Sequence, residues 1–134
     1  MGQPLLMEDD QKHMDDVPAV RDALMSPRRL SKLLFGPTAE RQLPRPEQAQ
    51  TVVERSWADY QAGVLGDVIA ALPGLLRTAQ ELEDLPHGDQ RRRGLMVSAR
   101  THHLAATTLA KIGESDLSWL AAERAMRAAD ESEQ

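Results

Sequence analysis

Apolar residues recur at every third or fourth position through four long stretches of the chain, which predicts four long α-helices. The first would begin at Pro46, and the second would follow the two glycines at positions 63 and 66. The third would cover about residues 90–112, and the fourth would follow Gly113. The positions expected to face inward are Ala49, Val52, Val53, Ser56, Trp57, Tyr60 and Val64 in the first; Val68, Ile69, Leu72, Leu75, Leu76, Ala79 and Leu82 in the second; Leu95, Met96, Ala99, His102 or His103, Ala106, Leu109 and Ala110 in the third; and Leu117, Leu120, Ala121, Ala125 and Ala128 in the fourth.

The fourth helix has an inner face made mostly of alanine. Gly113 suits the left-handed conformation that ends one helix, and Ser115 or Asp116 can accept the free N–H groups that open the next. Alanine on a buried stripe lets a neighbouring helix approach closely. We therefore expect this helix to pack on two sides, as in a stacked helical pair.

The second helix contains a proline. Asp67 is the expected cap at its start, and Pro73 lies inside its apolar pattern. Because proline removes one backbone hydrogen bond, the sequence predicts that this helix is kinked or split in two.

Charge, apolar spacing and proline content divide the chain into five predicted segments. Residues 1–16 form a polar, acidic stretch that we expect to be a flexible leader, and residues 17–36 predict two short helices. Residues 37–46 are predicted to be a linker, residues 47–130 the main helical domain and residues 131–134 a polar tail. Short helices need a surface to dock on, so an apolar group in the second is a candidate interface: Leu30, Leu33, Leu34 and Phe35.

These elements predict an all-α fold of two antiparallel helical hairpins. Gly63 and Gly113 occupy the same place in the two hairpins, roughly fifty residues apart. A regular tetratricopeptide repeat has about 34 residues, so a degenerate, elongated array of that type is expected.

The length, charge and composition of the chain limit the classes of function that it can have. The 134 residues suit one domain, and the net charge of −5 opposes direct binding of nucleic acid by this chain. Two basic clusters, at 28–32 and 91–93, are expected to be solvated or salt-bridging surface. The absence of cysteine excludes disulfides and thiolate metal sites. We expect a cytoplasmic location, and no apolar run reaches the ~20 residues of a membrane span.

The sequence offers little catalytic chemistry. His102 and His103 are adjacent and would point about 100° apart on a helix, so they do not form a metal site alone. No phosphate loop or nucleophile elbow is present. We expect neither enzymatic activity nor a cofactor.

The aromatic residues suggest a binding groove instead. Trp57 and Tyr60 share a helical face, and Trp119 lies at the start of the last helix. Two interpretations of these three residues stay open: they pack at the hairpin junctions, or they form the walls of a groove for a small apolar ligand or a peptide. With Arg55, Arg100 or His103 nearby, such a groove would admit an anionic ligand.

Four segments resemble a known family. They are residues 17–24 (VPAVRDAL), 56–63 (SWADYQAG), 72–76 (LPGLL) and 109–126 (LAKIGESDLSWLAAERAM). Together they resemble the C-terminal tetratricopeptide-like region of actinobacterial Xre/Cro-type transcriptional regulators, in which a helix-turn-helix precedes the helical repeats. Only sixteen residues precede Val17 here, so we expect a piece of such a regulator or a stand-alone relative.

The resemblance implies a regulatory half that senses a ligand and self-associates, with a homodimer as the expected assembly. The alternative is a stand-alone helical-repeat adaptor that binds a peptide or a partner protein. In neither case is direct contact with DNA or a membrane expected.

Overall fold

The computed structural model describes residues 16–25 and 43–134. In these ranges it has five helices and no strand: α1 (16–25), α2 (Pro46–Gln61), α3 (Leu65–Leu82), α4 (Asp89–Lys111) and α5 (Ser115–Ser132). The all-α prediction is therefore confirmed. The second short helix predicted before residue 36 lies outside the described residues.

The two hairpins, α2–α3 and α4–α5, have the same turn. Gly63 and Gly113 adopt left-handed φ angles of 81° and 84°. The residue after each glycine donates its N–H to the carbonyl five positions earlier, at 2.9 Å in both turns. This bond satisfies a carbonyl that the end of the helix leaves free. The predicted role of Gly113 as a helix stop is confirmed, and the two turns lie 50 residues apart.

The predicted side-chain caps are wrong. α3 begins at Leu65 and α5 at Ser115, with no side-chain cap hydrogen bond at either start. One residue separates each glycine from the following helix, so Asp67 and Asp116 already lie inside the first turn. Their carboxylates favour the positive end of the helix dipole there without capping it.

Pro73 does not split α3. The helix continues from Leu65 to Leu82 with the proline inside it. All seven positions expected to face inward on this helix are buried.

The central element of the fold is α4, which packs against α2, α3 and α5. Arg93 and Arg100 of α4 pair with Glu47 and Glu54 of α2. Because the contacts advance in the same direction along both helices, α2 and α4 run parallel. α5 returns antiparallel to α4, since Ser118 Oγ donates to the carbonyl of Ala106 and Glu131 pairs with Arg91 at the other end.

The prediction that α5 packs on two sides is wrong. Among the long helices, α5 packs substantially against α4 alone. The helix enclosed by neighbours is α4, where small residues permit it: Gly94, Ser98, Ala105 and Ala106 are all buried. An ideal Cβ on Gly94 would lie 2.9 Å from the carbonyl oxygen of Leu82, which shows how closely α4 approaches the end of α3.

The enclosure of α4 also explains errors in its predicted inner face. Met96 is 61% exposed and Ala110 is exposed, although both were expected inside. Val97 and Thr101 are buried instead, because three neighbours cover a wider arc than one apolar stripe. On α2, Val52 is likewise 45% exposed, and Val64 in the turn is 41% exposed.

α1 belongs to the same core as the long helices. Its Val20 and Leu24 are fully buried. The Gln80 side chain of α3 donates from Nε2 to the carbonyl of Ala23 at 2.8 Å. α1 is therefore docked on the long helices by apolar burial, and the hydrogen bond from Gln80 supports this contact.

Candidate functional site

The four residues predicted to line a groove come together around the indole of Trp57. Tyr60 and His103 present their rings edge-on to it, with ring centroids 5.9 and 5.1 Å away. The guanidinium carbon of Arg100 lies 4.3 Å from the indole centroid, and Trp57 Nε1 donates to the Arg100 carbonyl at 3.4 Å. The structure thus joins Trp57, Tyr60, His103 and Arg100 in one cluster between α2 and α4.

Glu54 holds Arg100 in this position. Its carboxylate accepts hydrogen bonds from Arg100 Nε at 2.8 Å and from Arg100 Nη2 at 3.0 Å. This bidentate ion pair fixes the plane of the guanidinium group. Hydrogen bonding from Arg100 keeps the pKa of Glu54 below its usual value. The pair is partly solvent-exposed, so it orients Arg100 more than it stabilises the fold.

The cluster is closed over its own tryptophan. Trp57 is only 9% exposed, because Arg100 covers one face of the ring and His103 meets it edge-on. A ligand seeking the indole face would have to displace Arg100. The exposed parts of the cluster are Arg100 and His103, with Tyr60 half-buried.

An open groove begins beside Arg100 and follows α2 and α4 toward their N-terminal ends. Its volume is about 440 Å³, within the range usual for ligand sites. Pro46, Val53 and Val97 are its buried apolar lining, and exposed Met96 also borders it. The remaining lining residues are Glu47, Gln50, Glu54, Arg93 and Arg100.

Two ion pairs span this groove from α4 to α2. One is Arg100 with Glu54, and the other is Arg93 with Glu47 at 3.2 Å. Each partner is repeated seven residues along its helix, which places the two pairs on the same faces two turns apart. Sequence reasoning missed Glu47, Glu54 and Arg93. The seven-residue spacing was visible, but the pairing requires knowing that α2 and α4 are parallel.

The basic cluster at 91–93 is a salt-bridging surface, as predicted. Each arginine pairs with a carboxylate: Arg91 with Glu131, Arg92 with Asp89 and Arg93 with Glu47. The other cluster, at 28–32, lies outside the described residues, as does the candidate interface of Leu30, Leu33, Leu34 and Phe35.

Of the two adjacent histidines, His102 is the buried one. Its Nδ1 lies 2.8 Å from the Ser98 carbonyl, and the Ser98 hydroxyl donates to Glu83 of α3 at 2.8 Å. Burial lowers the pKa of His102 to about 4, and the nearby charge of Arg124 adds to this effect. Nδ1 must therefore carry the proton that the Ser98 carbonyl accepts. His102 Nε2 has no hydrogen-bond partner among the described residues.

Trp119 neither packs the hairpin junction nor lines the groove. It is 67% exposed on α5, so both readings offered for it were wrong. The prediction assumed that the last helix packs against neighbours on two sides. Among the long helices, α5 packs substantially against α4 alone.

Within 16–25 and 43–134, no group of three or more potential ligand side chains is placed to hold a metal ion. No helix in those ranges has the length and apolar character needed to cross a membrane.

Comparisons with models of protein families, with curated proteins and with solved structures find no match to this chain.

Proposed function

We propose that this chain is the sensing and self-association domain of a cytoplasmic transcriptional regulator, built as a degenerate tetratricopeptide-like array. Two features support the array. The hairpin turns repeat at an interval of 50 residues, and α4 packs on both helices of the first hairpin with α2 and α4 parallel. In a stack of hairpins, each repeat contacts its neighbour in this way.

The groove between α2 and α4 carries the sensing part of the proposal. It lies between the first helices of the two hairpins, and the ion pairs across it connect those hairpins. An anionic, partly apolar ligand would compete with Glu54 for Arg100 while its apolar part contacts Val53 and Val97. Occupancy would then change the contact between hairpins, which is how a bound ligand would alter the assembly.

A dye binding experiment tests the sensing site. The probe is 8-anilinonaphthalene-1-sulfonate, which combines an apolar ring system with one negative charge. We expect saturable binding that weakens in Arg100→Gln and Arg93→Gln. The matched control is Arg92→Gln, because Arg92 is exposed and pairs with Asp89 outside the groove. If all three variants bind the dye equally well, the groove is not the sensing site and this part of the proposal is wrong.

A reporter experiment tests the regulatory role. The chain is fused behind a DNA-binding head that represses its operator only as a dimer, and repression is compared with that of the head alone. We expect repression to be restored, because the chain supplies self-association. A fusion that is expressed but does not repress would contradict this role.

A second candidate function is that of an adaptor for a peptide. It is favoured by the shape of the groove, which is open to solvent and extends over two helical turns between its ion pairs. A photo-cross-linking residue at Gln50 should then label one hetero-partner. The regulatory proposal expects labelling of a small ligand, or none, at this position.

A further inference from the structure

Each of the two ion pairs across the groove has one member that a second contact holds in place. Arg100 pairs with Glu54 and also lies over the indole of Trp57, 4.3 Å from its centroid. Within residues 16–25 and 43–134, Glu54 has Arg100 as its hydrogen-bond partner and no other. If Glu54 turns away, the cation–π contact therefore still keeps Arg100 at the edge of the groove.

The second ion pair is held on its acidic side instead. Glu47 accepts hydrogen bonds from Arg93 at 3.2 Å, from Gln90 Nε2 at 3.4 Å and from its own backbone N–H. The backbone hydrogen bond is the main reason that the pKa of Glu47 lies below its usual value. Glu47 also lies in the first turn of α2, where the helix dipole favours a negative charge. Arg93 has Glu47 as its one polar partner in the part of the chain that the structure describes.

The two anchored groups are therefore a cation, Arg100, and an anion, Glu47, at different ends of the groove. The two ion pairs are seven residues apart on both helices, which is roughly 10.5 Å along a helix axis. Buried Val53 and Val97 line the groove with apolar surface. A ligand that extends along the groove meets a fixed positive group, apolar side chains and a fixed negative group.

We propose that the ligand of this groove is a zwitterion whose carboxylate and ammonium are separated by an apolar chain of about 10 Å. Its carboxylate replaces that of Glu54 on Arg100, and its ammonium replaces the guanidinium of Arg93 on Glu47. Glu54 and Arg93 then turn into solvent, which costs little because their side chains are already 45% and 58% exposed. The inference deepens the sensing site in the proposed function, on which it rests, by adding a positive end to the anionic, partly apolar ligand.

Ligands with two equal charges are less complementary to the groove. A dianion would bind both arginines, but its second carboxylate would lie beside Glu47, which other contacts hold in place. A dication would bind both glutamates, but its second ammonium would lie beside Arg100, which Trp57 holds in place. Like charges at short range repel each other, so both classes should bind more weakly than the zwitterion.

Four small molecules test the ligand class on the unchanged protein. Extended 8-aminooctanoate has the required charges and length. Octanedioate and 1,8-diaminooctane have the same length with two equal charges, and 4-aminobutanoate is too short. Chemical-shift titration of the isotope-labelled full chain measures each dissociation constant at about pH 7, where all the end groups are charged.

We expect 8-aminooctanoate to bind with a dissociation constant on the order of 1 mM, because it has few atoms and exchanges one set of ion pairs for another. Each of the other three molecules should bind about fivefold more weakly, or worse, since each lacks one contact or adds a repulsion. If octanedioate or 1,8-diaminooctane binds at least as tightly as 8-aminooctanoate, the proposed ligand class is wrong.

Two variants locate the charged ends of the ligand. Glu47→Gln should weaken 8-aminooctanoate about threefold or more, but it should not weaken octanedioate. Arg100→Gln should weaken 8-aminooctanoate to a similar extent, but it should not weaken 1,8-diaminooctane. The matched control is Arg92→Gln, because Arg92 is exposed and pairs with Asp89 outside the groove. Circular dichroism confirms that each variant is folded, and losses that are equal for all the probes would contradict the assigned ends.

The two displaced side chains give predictions of the opposite sign. Glu54→Gln and Arg93→Gln each remove a competitor from an anchored group, so each should tighten 8-aminooctanoate about twofold or more. The anionic dye should respond to Arg93→Gln by binding more weakly, so this variant distinguishes the two ligands. Unchanged or weaker binding of 8-aminooctanoate by both variants would overturn the exchange of ion pairs.

Failure of this inference can be told apart from failure of the proposed function. Dye binding that depends on Arg100, together with no preference for 8-aminooctanoate, overturns the zwitterion and leaves the sensing groove in place. Equal dye binding by all the variants, together with no chemical-shift change at the groove for any of the four molecules, overturns both.

Discussion

Replacing Gly94 by alanine should destabilise the protein, although alanine is normally the better helix residue. Gly94 lies inside α4, where that helix meets the end of α3. An ideal Cβ there would lie 2.9 Å from the carbonyl oxygen of Leu82, 3.2 Å from its Cβ and 3.3 Å from Cδ1 of Leu85. The first contact is with backbone, so the end of α3 or the axis of α4 would have to shift.

Two opposing effects set how much Gly94→Ala changes the free energy of unfolding. The higher helix propensity of alanine contributes about 1 kcal/mol in favour of the variant. Overpacking of a close contact costs about 1–3 kcal/mol, and a backbone neighbour that cannot rotate away places this case in the upper part of that range. We therefore expect Gly94→Ala to lower the free energy of unfolding by roughly 1–2 kcal/mol.

Gly74→Ala is the matched control. Gly74 also lies inside a helix, α3, but a Cβ there meets no atom within 4 Å. Only the propensity effect remains, so this variant should gain about 0.5–1 kcal/mol. Urea unfolding followed by circular dichroism measures both. If Gly94→Ala is as stabilising as Gly74→Ala, the close approach of α4 to α3 is refuted.

Three further predictions concern the turns, the Trp57 cluster and the buried histidine. Gly63→Ala and Gly113→Ala should each lower the free energy of unfolding by about 1 kcal/mol, through backbone strain alone, since no atom lies near either Cβ position; clearly unequal losses in urea unfolding would show that the turns are not equivalent. Arg100→Ala should cost about 1 kcal/mol and increase acrylamide quenching of tryptophan fluorescence, because the guanidinium leaves the indole face; unchanged quenching would contradict the stacking. His102 binds a proton less readily in the folded than in the unfolded protein, with a pKa of about 4 against 6.5. Its contribution to stability is therefore constant above about pH 6.5 and falls by up to about 3 kcal/mol as the pH is lowered toward 4. In His102→Asn, the free energy of unfolding measured in urea at pH 4 and at pH 6.5 should differ by less than in the unchanged protein. An equal difference in the variant would show that other groups cause the pH dependence.

Sequence periodicity predicted every buried position of α3 that it named, although not the start of the helix. Its apolar residues lie on a single stripe, and every predicted position is buried. The same reasoning failed on α4, where Met96 is exposed and Thr101 is buried. Periodicity shows which side of a helix is most apolar, but the number of neighbours decides how much of the circumference is covered. That number depends on the order in which the hairpins stack.

The cluster around Trp57 was partly predictable for a similar reason. Trp57 and Tyr60 lie three residues apart on one helix, and Arg100 and His103 have the same spacing on another, so each pair follows from local geometry. Their meeting depends on the register between α2 and α4. Glu54 contributes to that register through a contact with a residue 46 positions away, and no local pattern carries this information.

The two tryptophans permit the most direct test of the central claim, that a ligand binds in the groove beside Arg100 and the Trp57 cluster. The chain is labelled with 5-fluorotryptophan, and its two fluorine resonances are followed as 8-anilinonaphthalene-1-sulfonate is added. We predict that the Trp57 resonance shifts, because the ligand reorients the Arg100 guanidinium that lies 4.3 Å from the indole centroid, while the Trp119 resonance from α5 does not move. A shift confined to Trp119, or no shift of either resonance, would contradict the account.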